Sequence, residues 1–145
     1  MTGSTQARAP WHFWVIGVAA TLWSAMACLD YWKTVTRDMN WLAAVPPDMM
    51  DWLDATPTWA MAGWAMGVGC ALAGSLLLLM RSRWAVAFFA LSLVGLAVNQ
   101  VYLLVSDAPA AIRSPSGIAL RVVIWIVGLA LLWYAVQMRG RRVLA

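Results

Sequence analysis

Four apolar stretches dominate this sequence, and each is long enough to cross the hydrocarbon core of a bilayer as a helix. A core of about 30 Å requires about 20 helical residues. The stretches cover residues 11–32, 58–80, 84–105 and 118–138. Because 63% of the residues are hydrophobic and only 11% are charged, a fold in water would leave large apolar surfaces exposed. The sequence therefore predicts an integral membrane protein.

Helices are the only architecture that these stretches allow. Hydrocarbon offers the backbone no water, so a spanning segment is either a helix or a strand of a closed barrel. Barrel strands alternate between apolar and polar residues, whereas these stretches are almost continuously apolar. We predict an all-α membrane protein, in which residues 1–145 form a single domain built as a four-transmembrane-helix bundle.

The basic residues predict how the bundle is oriented. Positive charges concentrate in short cytoplasmic loops, and Arg81 and Arg83 lie in the short turn between the second and third stretches. Placing this turn in the cytoplasm puts six of the ten basic residues and none of the six acidic residues there. These six are Arg8, Arg81, Arg83, Arg139, Arg141 and Arg142. We therefore expect both termini on the cytoplasmic side of a bacterial cytoplasmic (inner) membrane.

The first stretch allows a second interpretation. Arg8, the apolar residues after it and the tripeptide Ala25-Met26-Ala27 resemble a secretory signal with an A-x-A cleavage site. Two observations favour a retained span: apolar residues continue through Trp32, and the sequence before Cys28 lacks the leucine of a lipoprotein signal. Cleavage would leave the orientation of the other three spans unchanged.

The long outer connection, residues 33–57, is expected to contain a short amphipathic helix. Pro46 and Pro47 suit the first turn of a helix that continues through residue 54. Apolar side chains share one face of this helix and carboxylates share another; the residues are Met49, Trp52 and Leu53, and Asp48 and Asp51, respectively. We expect the helix to lie on the outer membrane surface or to cap the bundle.

Small residues recur along the spans at helical spacing. They are Gly17, Ser24, Gly63, Gly67, Gly74, Gly95 and Gly128. Small side chains allow neighbouring helices to approach closely in a membrane. We interpret these residues as helix-packing positions, in preference to a substrate groove.

Polar residues gather near the outer ends of the spans. The candidate cluster comprises Asp30, Lys33, Asn99, Gln100 and Arg121. Ionisable and amide groups within a membrane need partners, and they often mark a solute pathway. Two hypotheses stay open: the charges anchor the helix ends at the interface and the amides bond between helices, or the five residues form a binding vestibule.

Several functional classes lack the residues they need. One histidine and two cysteines, without CxxC or HxxxH spacing, give no metal site, and no cofactor motif is present. The sequence contains no Walker loop, Ser-His-Asp set or redox motif, so we expect no enzyme. The scattered basic residues do not form a nucleic-acid surface. No ionisable residue lies near the middle of a span, which argues against a proton-coupled exporter.

Several short segments carry a resemblance to a known group. They are Leu22-Trp23-Ser24-Ala25-Met26-Ala27-Cys28-Leu29-Asp30-Tyr31, Thr34-Val35-Thr36-Arg37, Pro57-Thr58-Trp59-Ala60, Gly74-Ser75-Leu76-Leu77-Leu78-Leu79 and Arg83-Trp84-Ala85-Val86. The chain resembles small bacterial four-span inner-membrane proteins of unknown function, often given the automatic name "sugar transporter". The resemblance covers residues 13–105, with Ser24 where an asparagine is expected in that group. It assigns no substrate-binding residue.

These observations lead to two functional hypotheses. The first is a transporter or transport helper for a small, sugar-type solute, which works as a homo-oligomer because one four-helix bundle encloses little space. The second is an accessory or assembly subunit whose small-residue faces bind a membrane-protein partner. In both cases the lipid bilayer is the surrounding partner, and the solute is unknown.

Overall fold

The computed structural model describes residues 5–145, which form seven helices joined by short connections. The helices are α1 (Trp11–Val35), α2 (Met39–Leu42), α3 (Pro47–Asp54), α4 (Thr58–Leu79), α5 (Trp84–Val105), α6 (Ala110–Arg113) and α7 (Pro115–Gly140). Within the described residues, α1, α4, α5 and α7 are long and apolar enough to cross a membrane. The prediction of an all-α protein with four candidate transmembrane helices is confirmed.

The ends of two long helices differ from the predicted spans. Helix α1 continues three residues beyond Trp32 and stops where Arg37 takes a left-handed conformation, with φ of 57°. The Asp38 N–H then donates to the Lys33 carbonyl, which closes the last turn. Helix α7 begins three residues early, because Ser114 caps it and Pro115 suits its first turn. Polar capping, and not hydropathy, sets these ends.

Two short helices, α2 and α6, were not predicted. The Asp38 side chain caps α2 by accepting the N–H groups of Asn40 and Trp41. Pro109 precedes α6 and lacks the N–H that a first helical turn leaves unused. Each signal is present in the sequence but is too local to be distinguished from a simple turn.

The four long helices follow one another around the bundle in chain order. Helix α4 packs most closely on α5, while α1 packs on α4 and α7 packs on α5. The outer members of this row, α1 and α7, meet near one end of the bundle, where His12 Nδ1 lies 2.9 Å from the Tyr134 hydroxyl. Helices α1 and α7 otherwise make few contacts with each other, and residues of both line a cavity.

Glycines bring the backbones of α4 and α5 into direct contact. A Cβ atom on Gly95 would lie 2.5 Å from the Gly67 nitrogen and 2.7 Å from the Gly63 carbonyl oxygen. The Ser92 hydroxyl donates to the Gly67 carbonyl over 2.6 Å at the same contact. Since no larger residue fits between these backbones, Gly95 is required by the close approach.

The other small residues singled out in the sequence also lie against neighbouring helices. Gly17 contacts the Leu79 side chain, Gly74 the Phe89 ring and Gly128 the Leu93 side chain, and the Ser24 and Ser75 hydroxyls are 3.4 Å apart. The structure therefore places these residues at contacts of α1 with α4, α4 with α5 and α5 with α7. The small residues thus lie where neighbouring long helices contact each other.

The buried core lies at the end of the bundle that holds the α4–α5 turn. Val143 and Leu144, which follow α7, are buried in it together with Phe13, Leu78 and Met138. Apolar packing therefore closes this end of the bundle. The sequence predicted a role in orientation for Arg141 and Arg142 but no packing role for Val143 and Leu144.

Hydrogen bonds from one arginine hold the closed end together. The Arg81 guanidinium donates through Nε to the Val143 carbonyl over 3.1 Å and through a second nitrogen to the Ala7 carbonyl. The Ala145 N–H donates to the Arg81 carbonyl, and the Arg83 N–H donates to the Ala145 carbonyl, both over 2.8 Å. We call this set of residues, Ala7, Arg81, Arg83, Val143 and Ala145, the arginine clasp. It joins three separate parts of the chain.

Candidate functional site

A cavity of about 310 Å³ lies between α1, α4, α5 and α7, on the far side of the core from the arginine clasp. We call it the bundle cavity. One end is polar, lined by Asp30, Asn99, Gln100 and Arg121. The end nearer the core is apolar, lined by Phe89, Leu93, Val127 and Leu131. The cavity is therefore amphipathic along its length.

A second cavity, of about 410 Å³, lies between the long helices and the segment that carries α2 and α3. We call it the vestibule. Met49, Trp52 and Leu53 of α3 line it, so the apolar face of α3 is directed at the bundle. The two cavities share a wall made of Asp30, Trp64, Asn99, Leu103 and Arg121. Two of the polar positions in this wall are charged.

Arg121 is a residue of the shared wall whose charge has no ion-pair partner among the described residues. One of its terminal nitrogens donates to the Ile112 carbonyl over 3.2 Å, while its Nε is buried and has no hydrogen-bond partner among residues 5–145. The ion pairs found in residues 5–145 do not include Arg121. A buried donor without an acceptor costs about 1–3 kcal/mol, and more when the group is charged. The charge of Arg121 is thus not compensated by an ion pair within the described part of the chain.

Asp30 faces the same two cavities from α1. Its carboxylate accepts a hydrogen bond of 3.1 Å from the Trp41 indole N–H, which ties α2 to the end of α1. The ion pairs of the described part of the chain do not include Asp30 either. Asp30 and Arg121 therefore stand in one wall as opposite charges that are not paired with each other.

Lys33 lies apart from the other members of the predicted cluster. Asp30, Asn99, Gln100 and Arg121 line the bundle cavity, but Lys33 lines neither cavity and instead pairs with Asp38. The reason is the sharp turn after α1, which brings Asp38 back to the last turn of that helix. The structure thus brings four of the five residues together and gives Lys33 a local partner.

Side chains that sequence reasoning did not place in a site fix the segment over the vestibule. We call residues 36–57 the cap. The Trp52 indole donates to the Ser106 hydroxyl over 3.1 Å, and its ring lies 5.2 Å from the Tyr102 ring. Arg37 pairs with Asp54 across the cap. The apolar face predicted for residues 47–54 was the signal that pointed towards Trp52.

The turn that holds the cap to α1 is expected to depend on pH. The Lys33 ammonium, followed by the Trp41 backbone N–H, holds the pKa of Asp38 below its ordinary value. Because the pKa is lowered on folding, its contribution is present above the ordinary pKa and is lost as pH falls through the lowered one. Protection factors for hydrogen exchange at the Asn40 and Trp41 amides, which correct for the slower intrinsic exchange at low pH, should therefore fall in acid. Asp38→Asn should remove this pH response, and an unchanged response would contradict the assignment.

Together, the two cavities provide polar and aromatic groups that can bind a ligand. Arg121 and the amides of Asn99 and Gln100 can donate hydrogen bonds, Asp30 can accept them, and the indole of Trp125 offers an aromatic surface. Such a lining suits binding of a molecule that has both polar and apolar parts. No protein-family model, curated protein or solved structure matches this chain.

Proposed function

We propose that the chain is a multi-pass protein of the bacterial cytoplasmic membrane that binds a small solute in the bundle cavity and takes part in its movement. The observation that carries this proposal is the position of Arg121, which lies in the wall shared by the two cavities and takes part in no ion pair of the described residues. An unsatisfied cation in a membrane bundle is costly, and such groups are retained where they contact solutes. The resemblance to proteins called sugar transporters supports the same class.

The proposed orientation places the two ends of the bundle in different compartments. With both termini in the cytoplasm, the arginine clasp lies inside and the vestibule faces outwards. The site is then open towards the outside and closed towards the cytoplasm by Val143 and Leu144. Movement of a solute to the cytoplasm therefore requires the clasp to open. A homo-oligomer would add a second route along the contact between bundles.

An accessory subunit of a membrane complex is the second candidate function. Helix α7 is the least buried of the long helices, and it packs mainly on α5 and α6. Its exposed apolar residues include Val122, Ile126, Leu129 and Val136. In a membrane, either a partner helix or lipid covers this apolar face. Purification in mild detergent separates the two candidates, because a stable heterologous partner favours the subunit and a homo-oligomer favours the transporter.

Filling the bundle cavity is expected to stop solute movement without unfolding the protein. Ala27 lines the cavity, whereas Ala25, two residues away on α1, is exposed on the outer surface of the bundle. We expect Ala27→Trp to reduce movement to the level of protein-free vesicles and Ala25→Trp to leave it unchanged. The measurements are uptake of labelled glucose, as the sugar-type probe, and translocation of a fluorescent phospholipid in reconstituted vesicles.

The paired tryptophan variants make this test decisive. Both add the same volume to the same helix, so differences in expression or reconstitution largely cancel. Wild-type protein that moves neither probe faster than protein-free vesicles would contradict the proposed function. Equal rates for Ala27→Trp and Ala25→Trp would contradict the bundle cavity as the route.

A further inference from the structure

We infer that the ligand of the bundle cavity is a membrane amphiphile whose anionic head group binds Arg121 and whose apolar part lies along the cavity towards Phe89. This inference rests on the proposed function, because it names the class of molecule that the cavity takes. Three features carry it: the unpaired cation, the apolar end of the cavity and the separation of α1 from α7.

The first feature is the state of the Arg121 guanidinium. Its five N–H donors form a planar fork that matches the oxygens of a carboxylate or a phosphate. One terminal nitrogen donates to the Ile112 carbonyl, which carries no net charge, and the buried Nε has no acceptor. An anionic group in the cavity would neutralise the charge of Arg121, which no ion pair of the described residues compensates. A neutral hydroxyl would supply an acceptor but leave the cation uncompensated.

The second charged group of the wall, Asp30, does not bind the anionic head group. Its carboxylate is exposed and accepts the Trp41 indole N–H, and no cation of the described residues lies within ion-pair distance of it. Its negative charge repels a second anion, and so directs an anionic head group towards Arg121. The Asn99 and Gln100 amides, on α5 in the same cavity, can donate to the remaining head-group oxygens.

The second feature is the chemistry of the opposite end of the cavity. Phe89, Leu93, Val127 and Leu131 line it, and Phe89 is itself part of the buried core. A hydrated solute that filled this end would leave its polar groups without partners, at a cost of about 1–3 kcal/mol each. A hydrocarbon chain fits the same surface without that penalty. The lining therefore selects a molecule with one polar and one apolar end.

The third feature is access from the side of the bundle. Trp23 and Met26 line the cavity, yet they are 43% and 61% exposed. Helices α1 and α7 meet at His12 and Tyr134, near the closed end, and the cavity separates them beyond that point. In a bilayer, this gap opens onto the lipid. The occupant can therefore enter laterally from the membrane, and does not have to cross water.

Native mass spectrometry of the full chain tests the inference directly. The protein is purified in mild detergent and equilibrated with equal amounts of phosphatidylglycerol, which is anionic, and phosphatidylcholine, which is zwitterionic. We expect wild type to retain phosphatidylglycerol preferentially. We expect Arg121→Gln to lower that retention by about tenfold or more, as the loss of a charge-assisted hydrogen bond implies. Inorganic phosphate alone should not displace the lipid, because it lacks the apolar part.

Two further variants separate the site from general lipid binding. Arg113→Gln removes an exposed arginine that already pairs with Asp107, so it should leave retention unchanged. Asp30→Asn removes the like charge beside the head group, so it should increase retention of phosphatidylglycerol. If Arg121→Gln fails to fold, the Asp30→Asn result and the wild-type preference still test the inference.

Several outcomes would overturn the inference. Three of them are equal retention of the two lipids by wild type, an equal effect of Arg121→Gln and Arg113→Gln, and displacement of the lipid by inorganic phosphate alone. The fourth is weaker retention by Asp30→Asn, which would indicate a zwitterionic ligand. The vesicle experiment tests the proposed function separately from the lipid-retention experiment. Retention of phosphatidylglycerol without movement of either probe rejects the proposed function alone, whereas glucose uptake without lipid preference rejects this inference alone.

Discussion

A single methyl group at position 95 is expected to force α4 and α5 apart. In Gly95→Ala the new carbon would lie 2.5 Å from the Gly67 nitrogen and 2.7 Å from the Gly63 carbonyl oxygen. Both are backbone atoms, which cannot rotate away as a side chain can, so the helices must separate. Overpacking of this kind typically costs about 1–3 kcal/mol. We expect a lower midpoint of thermal unfolding in mild detergent and a smaller yield of monodisperse protein.

The loss of stability should depend on the space available for the new methyl group, and not on the replacement of glycine itself. A Cβ on Gly67 would lie 3.4 Å from the Leu96 nitrogen, at the edge of ordinary contact, so Gly67→Ala should destabilise less than Gly95→Ala. Gly69 has open space around it, and alanine is the better helix former, so Gly69→Ala should be neutral or slightly stabilising. Equal unfolding midpoints for Gly95→Ala and Gly69→Ala would contradict the close contact.

The four long helices could be predicted because their cause is local. Length and continuous hydropathy are properties of a single segment, and the bilayer permits few alternatives. The ends of α1 and α7 were harder to predict, because hydropathy registers neither the left-handed conformation of Arg37 nor the capping bond of Ser114. The segment between α1 and α4 contained its own helix signal in Pro46 and Pro47.

The site could be predicted only in part, because its geometry depends on contacts between distant segments. Asp30, Asn99 and Arg121 were recognised as polar groups near helix ends, and the structure places all three in one wall. The pairing of Lys33 with Asp38 was not foreseen, because it depends on how the chain turns after α1. The burial of Arg121 Nε was also not predictable from the sequence, since it depends on how distant segments pack around that atom.

The closed end of the bundle depends on a residue in an unfavourable conformation. Arg81 has φ of 60°, and Arg37 and Arg142 share this left-handed conformation after their own helices. Glycine is the default residue at such a helix end, and a side chain there costs about 1–2 kcal/mol. Arg81 offsets that cost through the bonds of its guanidinium to the Val143 and Ala7 carbonyls. The side chain, and not the backbone, explains why arginine suits this position.

Loss of the Arg81 side chain is therefore expected to open the arginine clasp. In Arg81→Ala the Val143 and Ala7 carbonyls lose a charged donor while the backbone strain remains. Hydrogen bonds to charged groups contribute about 1.5–3 kcal/mol each, so we expect a clear fall in the unfolding midpoint. Residues Val143 and Leu144, which are 2% and 5% exposed, should become accessible. Faster hydrogen exchange at their amides and at Ala145, and earlier proteolysis at this end, would report the opening.

Two variants of the same turn show whether the guanidinium is responsible. Arg83→Ala removes the neighbouring arginine but keeps the backbone bond from residue 83 to the Ala145 carbonyl, so it should leave exchange at residues 143–145 unchanged. Arg81→Gly loses the same donors as Arg81→Ala but relieves the left-handed strain, so it should be more stable than Arg81→Ala and less stable than wild type. The clasp would be contradicted if Arg81→Ala and Arg83→Ala gave equal exchange rates. An Arg81→Gly protein as stable as wild type would show that the side-chain bonds contribute no more than the left-handed conformation costs, which would contradict a net stabilising role for the guanidinium.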